Sequence, residues 1–169
     1  VTLDARNKLR AFNFPAFAVN VLTKLEMQGR MRDDGVLEVK TKGTAYDGRP
    51  FFRSLFSAGQ VTERALPTPR HRQGLDLSVE IDTIVGFNDT NLRNVSFQLK
   101  RRGDKTIALQ AVGQLSDTGH PVNAEIRVQN GIRMLHANST DAGSAFRLIG
   151  LYPNMRGGNG ALDVNLDGR

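Results

Sequence analysis

The chain has 169 residues, 23 Lys and Arg against 17 Asp and Glu, a formal net charge of +6 and 39% hydrophobic residues, enough for one domain with a real core. It has no cysteine, which excludes a disulfide framework and thiolate metal sites, and no apolar run near the roughly 20 residues a membrane-spanning helix needs. The basic residues are scattered, and their one dense cluster, Lys100-Arg101-Arg102, precedes Gly103-Asp104 as a solvated turn does; with no aromatic platform or recognition helix, a nucleic-acid partner is not expected.

In chain order, Phe12, Phe14, Phe17, Val19 and Val21 flank Pro15, which cannot donate to a ladder and predicts a bulge or edge position. Leu25, Met27 and Met31 lead through Asp33-Asp34-Gly35 into Leu37, Val39 and Thr41, a hairpin pattern. After Asp47-Gly48 the spacing changes. Phe51, Phe52, Leu55 and Phe56 predict a short helix over residues 50–57, with a strand covered on both faces as the alternative. Residues 60–74 carry Pro67, Pro69, Arg70, His71 and Arg72 without periodicity. They read as a loop or linker between a first β segment, residues 1–59, and a second, residues 75–169.

Beyond it, Leu75, Leu77, Val79 and Ile81 fall on one face of an extended segment, with Asp76, Ser78, Glu80 and Asp82 on the other. Val95, Phe97 and Leu99 repeat the pattern. Ile107, Leu109 and Ala111 follow, then Val122, Ala124, Ile126 and Val128 after the turn signal Thr118-Gly119-His120-Pro121. A weaker run, Arg133, Leu135 and Ala137, follows Asn130-Gly131. A helix is predicted over residues 142–152: Thr140 or Asp141 can cap it, Ala145, Leu148, Ile149 and Tyr152 recur at helical spacing, and Pro153 ends it. Gly157-Gly158 then hands the chain to a strand over residues 161–166. Strands on short turns should pair antiparallel in a meander with one apolar face. That face must be covered, and the generic cover is a second sheet in a closed sandwich.

Three stretches resemble a known family. The first comprises Asp141, Ala142, Gly143, Phe146, Arg147, Gly150, Tyr152, Met155, Gly157 and Gly158; the second runs from Tyr46 to Phe56, and the third from Phe87 to Leu99. Together they are similar to the C-terminal region of AsmA-like proteins, especially the long YhdP-type members of Gram-negative bacteria. The resemblance covers most of the chain, and its motifs are structural. It implies a mainly β fold, an antiparallel meander curled into an open apolar trough, with one or two short helices. The implied role is phospholipid transport between inner and outer membrane and maintenance of the outer-membrane barrier. The implied location is the periplasmic face of the envelope, with the inner-membrane anchor outside this segment. Val1 in place of an initiator Met, and the turn signal Asp167-Gly168-Arg169 directly after a strand-like run, lead us to expect a piece of a longer chain.

On this reading the acyl chains of a phospholipid lie on the stripe Leu75, Leu77, Val79, Ile81, Val95, Phe97, Leu99, Ile107, Leu109, Val122, Ile126 and Val128. No enzyme, cofactor or metal is expected. His71, His120 and His136 have neither metal spacing nor a carboxylate partner in a motif, and Gly157-Gly158-Asn159-Gly160 lacks the preceding strand, following helix and lysine of a phosphate loop. Arg49, Arg53 and the basic turn read first as solvated surface and second as contacts for anionic head groups, each worth about 1 kcal/mol near such a surface. Phe146, Ile149 and Tyr152 are expected to seat the second helix, with Arg147 dispensable on its opposite face. The alternative function is a structural or interaction module of a large envelope protein, built as a closed sandwich. Periodicity cannot separate it from a trough, because both demand the same alternation.

Overall fold

Residues of alternating polarity become strand, and the strands join in a single sheet. The computed structural model describes residues 1–5, 7–57, 74–103 and 105–167. Its elements are β1 (Thr2–Leu3), β2 (Leu9–Asn20), β3 (Thr23–Met31), β4 (Val36–Asp47), α1 (Arg49–Ser57), β5 (Gly74–Val85), β6 (Asn91–Arg102), β7 (Lys105–Leu115), β8 (Pro121–Gln129), β9 (Ile132–Ser139), α2 (Ala142–Leu148) and β10 (Gly160–Asn165). The fold is 63% strand, in one ten-stranded sheet that does not close. Strand order follows chain order from β1 to β10. Each strand packs chiefly on its ladder neighbours, and among the described residues no second sheet lies over the first.

The expected antiparallel meander needs one correction. β4 and β5 are parallel, Val36 standing opposite Gly74 and Asp47 opposite Val85. A parallel neighbour requires a crossover of a dozen or more residues, and the stretch between Asp47 and Gly74, which includes α1, is long enough to make it. Residues 60–73 of the predicted linker lie outside the described residues, whereas Gly74 belongs to β5. The two β segments share one sheet through this pair.

Turn chemistry placed the hairpins. Asn130 and Gly131 take φ values of 53° and 76°, the left-handed pair that a two-residue turn between β8 and β9 demands. Pro15 lies where the register of β2 on β3 shifts between Phe14 and Phe17, the bulge predicted for it.

Both helices form. The Asp47 carboxylate starts α1, accepting from the Arg49 backbone N–H at 3.2 Å and from its Nε and Nη2 at 2.8 Å each. α2 is shorter than predicted. It stops at Leu148 because Ile149 is its C-cap and Gly150 turns the chain at φ 81°, a common helix ending. Asp141 is its N-cap, accepting from the Ser144 N–H at 3.0 Å. Burial pushes the Asp141 carboxyl up, and hydrogen bonds from Ser144, Thr118 and Gly157 outweigh it, leaving the group below its ordinary value.

Candidate functional site

The three stretches that carried the family resemblance meet at one end of the sheet. Gly48, at the start of α1, donates its N–H to the Val85 carbonyl at 2.9 Å, and the Phe87 N–H donates to the Leu148 carbonyl at the end of α2, also at 2.9 Å. The Arg53 guanidinium lies 5.4 Å from the centre of the Phe87 ring, a cation–π contact. Arg147 corrects an expectation. Its Nη2 donates to the Asn88 carbonyl and Asn88 Nδ2 donates back to the Arg147 carbonyl, both at 3.0 Å, so this side chain ties α2 to the turn between β5 and β6. Leu148, only 4% exposed, is the buried anchor of the helix. Tyr152 is 59% exposed and meets Phe146 edge to face at 5.6 Å, so it caps that ring instead of entering the core. The motif residues therefore build a joint between the two helices and the ends of β5 and β6.

The ladder register gives the rest of the sheet two chemically opposite faces. One row crosses nine of the ten strands as Phe14, Met27, Thr41, Val79, Phe97, Ala111, Ala124, Ala137 and Leu162. The adjacent row, one residue along every strand, reads Asn13, Gln28, Lys40, Ser78, Gln98, Gln110, Glu125, His136 and Asp163. Successive residues of a strand point to opposite faces, so the first row is apolar throughout, apart from one threonine, and the second is polar throughout. Three alanines sit side by side in the apolar row on β7, β8 and β9. Their small side chains leave that part of the face low beside Phe97.

Most of the predicted stripe lies on this apolar face. Leu77 stands opposite Leu99 and Leu99 opposite Leu109; Val79 faces Phe97, and Ile81 faces Val95. Ile81, Val95 and Leu99 are buried, while Leu75, Leu77, Val79, Phe97, Leu109, Val122 and Ile126 are half-buried. Ile126 pairs with Leu135, and Val122 with Ser139 at the far end of the strand. Two members stand apart. Ile107 falls in the shift where Lys100 pairs with Ala108 but Arg101 with Thr106, and it is 42% exposed; Val128 is 62% exposed near the turn after β8. The sequence pattern left out Phe14, Met27 and the alanines. Their alternation marked them as strand, but only the order of strands puts them in the same row.

The polar face carries its own ion pairs. A depression of about 410 Å³ opens there among Arg30, Glu38, Lys40, Asp76, Gln98 and Lys100. Its charges are largely matched: Arg30 meets Glu38 at 2.8 Å, and Arg102 meets Asp76 at 2.6 Å. The Arg102 hydrogen bond outweighs desolvation and holds the Asp76 carboxyl below its ordinary value. Asp76 and Glu80 are thus paired carboxylates, Glu80 with Lys42 at 2.8 Å while remaining exposed. His136 has a carboxylate partner after all, Asp163 across the β9–β10 ladder, and His120 Nδ1 lies 2.6 Å from Thr140 Oγ1. His71 lies outside the described residues. No helix among the described residues is long and apolar enough to cross a membrane.

A further ion pair gives a testable pH dependence. Arg133 Nη2 meets Asp167 Oδ1 at 2.7 Å, and the Arg133 backbone N–H donates to the same carboxylate at 2.8 Å. The side-chain bond, then the backbone bond, hold the Asp167 carboxyl at about 2 against an ordinary 3.8. A depressed carboxyl stabilises the fold above its unfolded value, and that contribution is lost as pH falls through the folded one. The unfolding midpoint of the parent chain should therefore fall between pH 4 and about 2 more steeply than that of Asp167→Asn. Parallel curves for the two proteins, followed by circular dichroism, would remove this pair from the acid transition.

No family model, no curated protein and no solved structure matches the chain.

Proposed function

We propose that this chain is a lipid-handling segment of an AsmA-like envelope protein: it holds phospholipid acyl chains on the apolar face of its open sheet. In a periplasmic parent anchored in the inner membrane, that would serve phospholipid passage toward the outer membrane. The observation that supports this most is the apolar row across nine strands of a sheet that does not close. A sheet with one apolar face needs a cover, and among the described residues neither a second sheet nor the two short helices spans that face. Lipid chains provide a cover that needs no directional bonds. Burial contributes about 0.8 kcal/mol per CH₂, so about 16 carbons supply on the order of 12 kcal/mol before the cost of immobilising them.

Ten strands about 4.8 Å apart make a surface roughly 43 Å wide, room for a chain lying across the strands. The alanines of β7, β8 and β9 form its shallowest part. Native mass spectrometry of the protein purified without added lipid is the direct test. Phospholipid adducts that survive desalting are expected. A bare protein mass that remains bare after incubation with phospholipid vesicles would reject the lipid reading.

A further inference from the structure

Arg101 is a charged residue on the apolar face, where its chemistry does not suit its neighbours. It stands opposite Leu75 in the ladder, two residues beyond Leu99, so its side chain belongs with Leu77 and Leu99. It is only 7% exposed, and its Nε is fully buried without a hydrogen-bond partner. Its neighbours in sequence, Lys100 and Arg102, lie on the other face, where Arg102 engages Asp76. No ion pair among the described residues includes Arg101.

The same face shows what a satisfied guanidinium looks like. Arg133 follows the parity of Leu135 and Ala137 in β9, and it is similarly buried at 9% exposure. It is held by Asp167 on one side and donates Nη1 to the Thr106 carbonyl at 2.9 Å on the other. Thr106 is the ladder partner of Arg101. Two buried arginines thus approach the same strand end, one with a carboxylate and one without. An arginine cannot shed its charge, and burying one of its N–H donors without a partner is disfavoured. Among the described residues the Arg101 Nε is the one buried side-chain donor left open, and an anion would fill it.

We infer that Arg101 is a head-group site: its guanidinium takes the phosphodiester of a phospholipid whose acyl chains run onto the face past Leu99 and Leu77. This rests on the lipid reading above. The planar fork of N–H donors matches two phosphate oxygens. The flanking leucines favour an anion that carries hydrocarbon over a free one. Arg101 would then set the orientation of the lipid, with its head at the end where β6 finishes and its tails toward the alanines.

The test compares three probes: dioleoylphosphatidylglycerol, dioleoylglycerol with the same tails and no phosphate, and inorganic phosphate. The parent chain is expected to bind the phospholipid about tenfold more tightly than the diacylglycerol, the size of a charge-assisted hydrogen bond. Arg101→Met should lose that preference while keeping diacylglycerol affinity, and its unfolding midpoint should hold or rise, since an unpaired buried donor is gone. In the parent chain, the Arg101 Nε–Hε resonance, assigned from its disappearance in Arg101→Lys, should shift with phospholipid and stay fixed with diacylglycerol. That spectrum decides the matter even if the methionine variant does not fold. An unmoved resonance with phospholipid bound, or a preference that survives in Arg101→Met, overturns the inference and leaves the lipid reading standing. An equal shift with inorganic phosphate makes this a free-anion site and overturns it too. If neither lipid binds the parent chain, the lipid reading fails first and the head-group site with it.

Discussion

Gly143→Ala is expected to lower the thermal unfolding midpoint by about 2–12 °C, although alanine is the better helix former by about 1 kcal/mol. A Cβ at position 143 would come within 2.4–2.5 Å of the N, Cα and C atoms of Arg156. These are backbone atoms and cannot swing aside. The segment that follows them is also fixed to the first turn of α2: the Ala142 N–H donates to the Gly158 carbonyl at 2.7 Å, and the Gly143 N–H to the Gly157 carbonyl at 2.9 Å. Any relief by backing the loop away breaks one or both bonds. Overpacking of this kind costs about 1–3 kcal/mol, and each kcal/mol moves the midpoint of a chain this size by about 2–4 °C. The sign is the useful part. A midpoint that is unchanged or raised, measured by calorimetry, would show that the Arg156–Gly158 segment does not pack on α2.

That contact also shows what the sequence could and could not reveal. Asp141 announced the start of α2 by its chemistry, but the end was placed at Pro153 and not at Gly150, and Gly143 announced nothing, since its reason is a loop thirteen residues on that presses against it. The strands were legible because polar and apolar residues alternate at period 2 in β5, β6 and β8, and the structure assigns the two sets to opposite faces. The parallel step from β4 to β5 was not legible, because alternation is the same in either direction. Pairing distance hid the His136–Asp163 contact as well, which depends on the register of β10 on β9. Ile107 had the right parity and lost its place to a register shift that no residue type advertises. Arg101 is the opposite case. Its parity with Leu99 was plain, but Lys100 and Arg102 on either side made the cluster look like one solvated turn, whereas the strand sends alternate members to opposite faces.

Phe97→Asp is expected to weaken capture of phospholipid by at least a hundredfold, while Gln98→Asp, one residue along the same strand, leaves it nearly unchanged. Phe97 stands opposite Val79 on one side and Ala111 on the other, in the middle of the apolar row, whereas Gln98 stands between Ser78 and Gln110 on the polar face. A carboxylate at 97 keeps its hydration and holds hydrocarbon off the surrounding surface. Losing contact with three or four methylenes at about 0.8 kcal/mol each removes about 3 kcal/mol, which is more than a hundredfold in affinity. Phe97 is half-buried, so its aspartate has access to water and the protein should fold. Leu99, at 3% exposure, has no such access, and Leu99→Asp should unfold the chain because it buries an unpaired charge. Val79→Asp repeats the experiment from the facing strand and should match Phe97→Asp. Circular dichroism establishes folding before vesicle co-sedimentation measures binding. Folded Phe97→Asp and Val79→Asp proteins that retain lipid as well as Gln98→Asp does would show that the apolar row is not the surface that holds it.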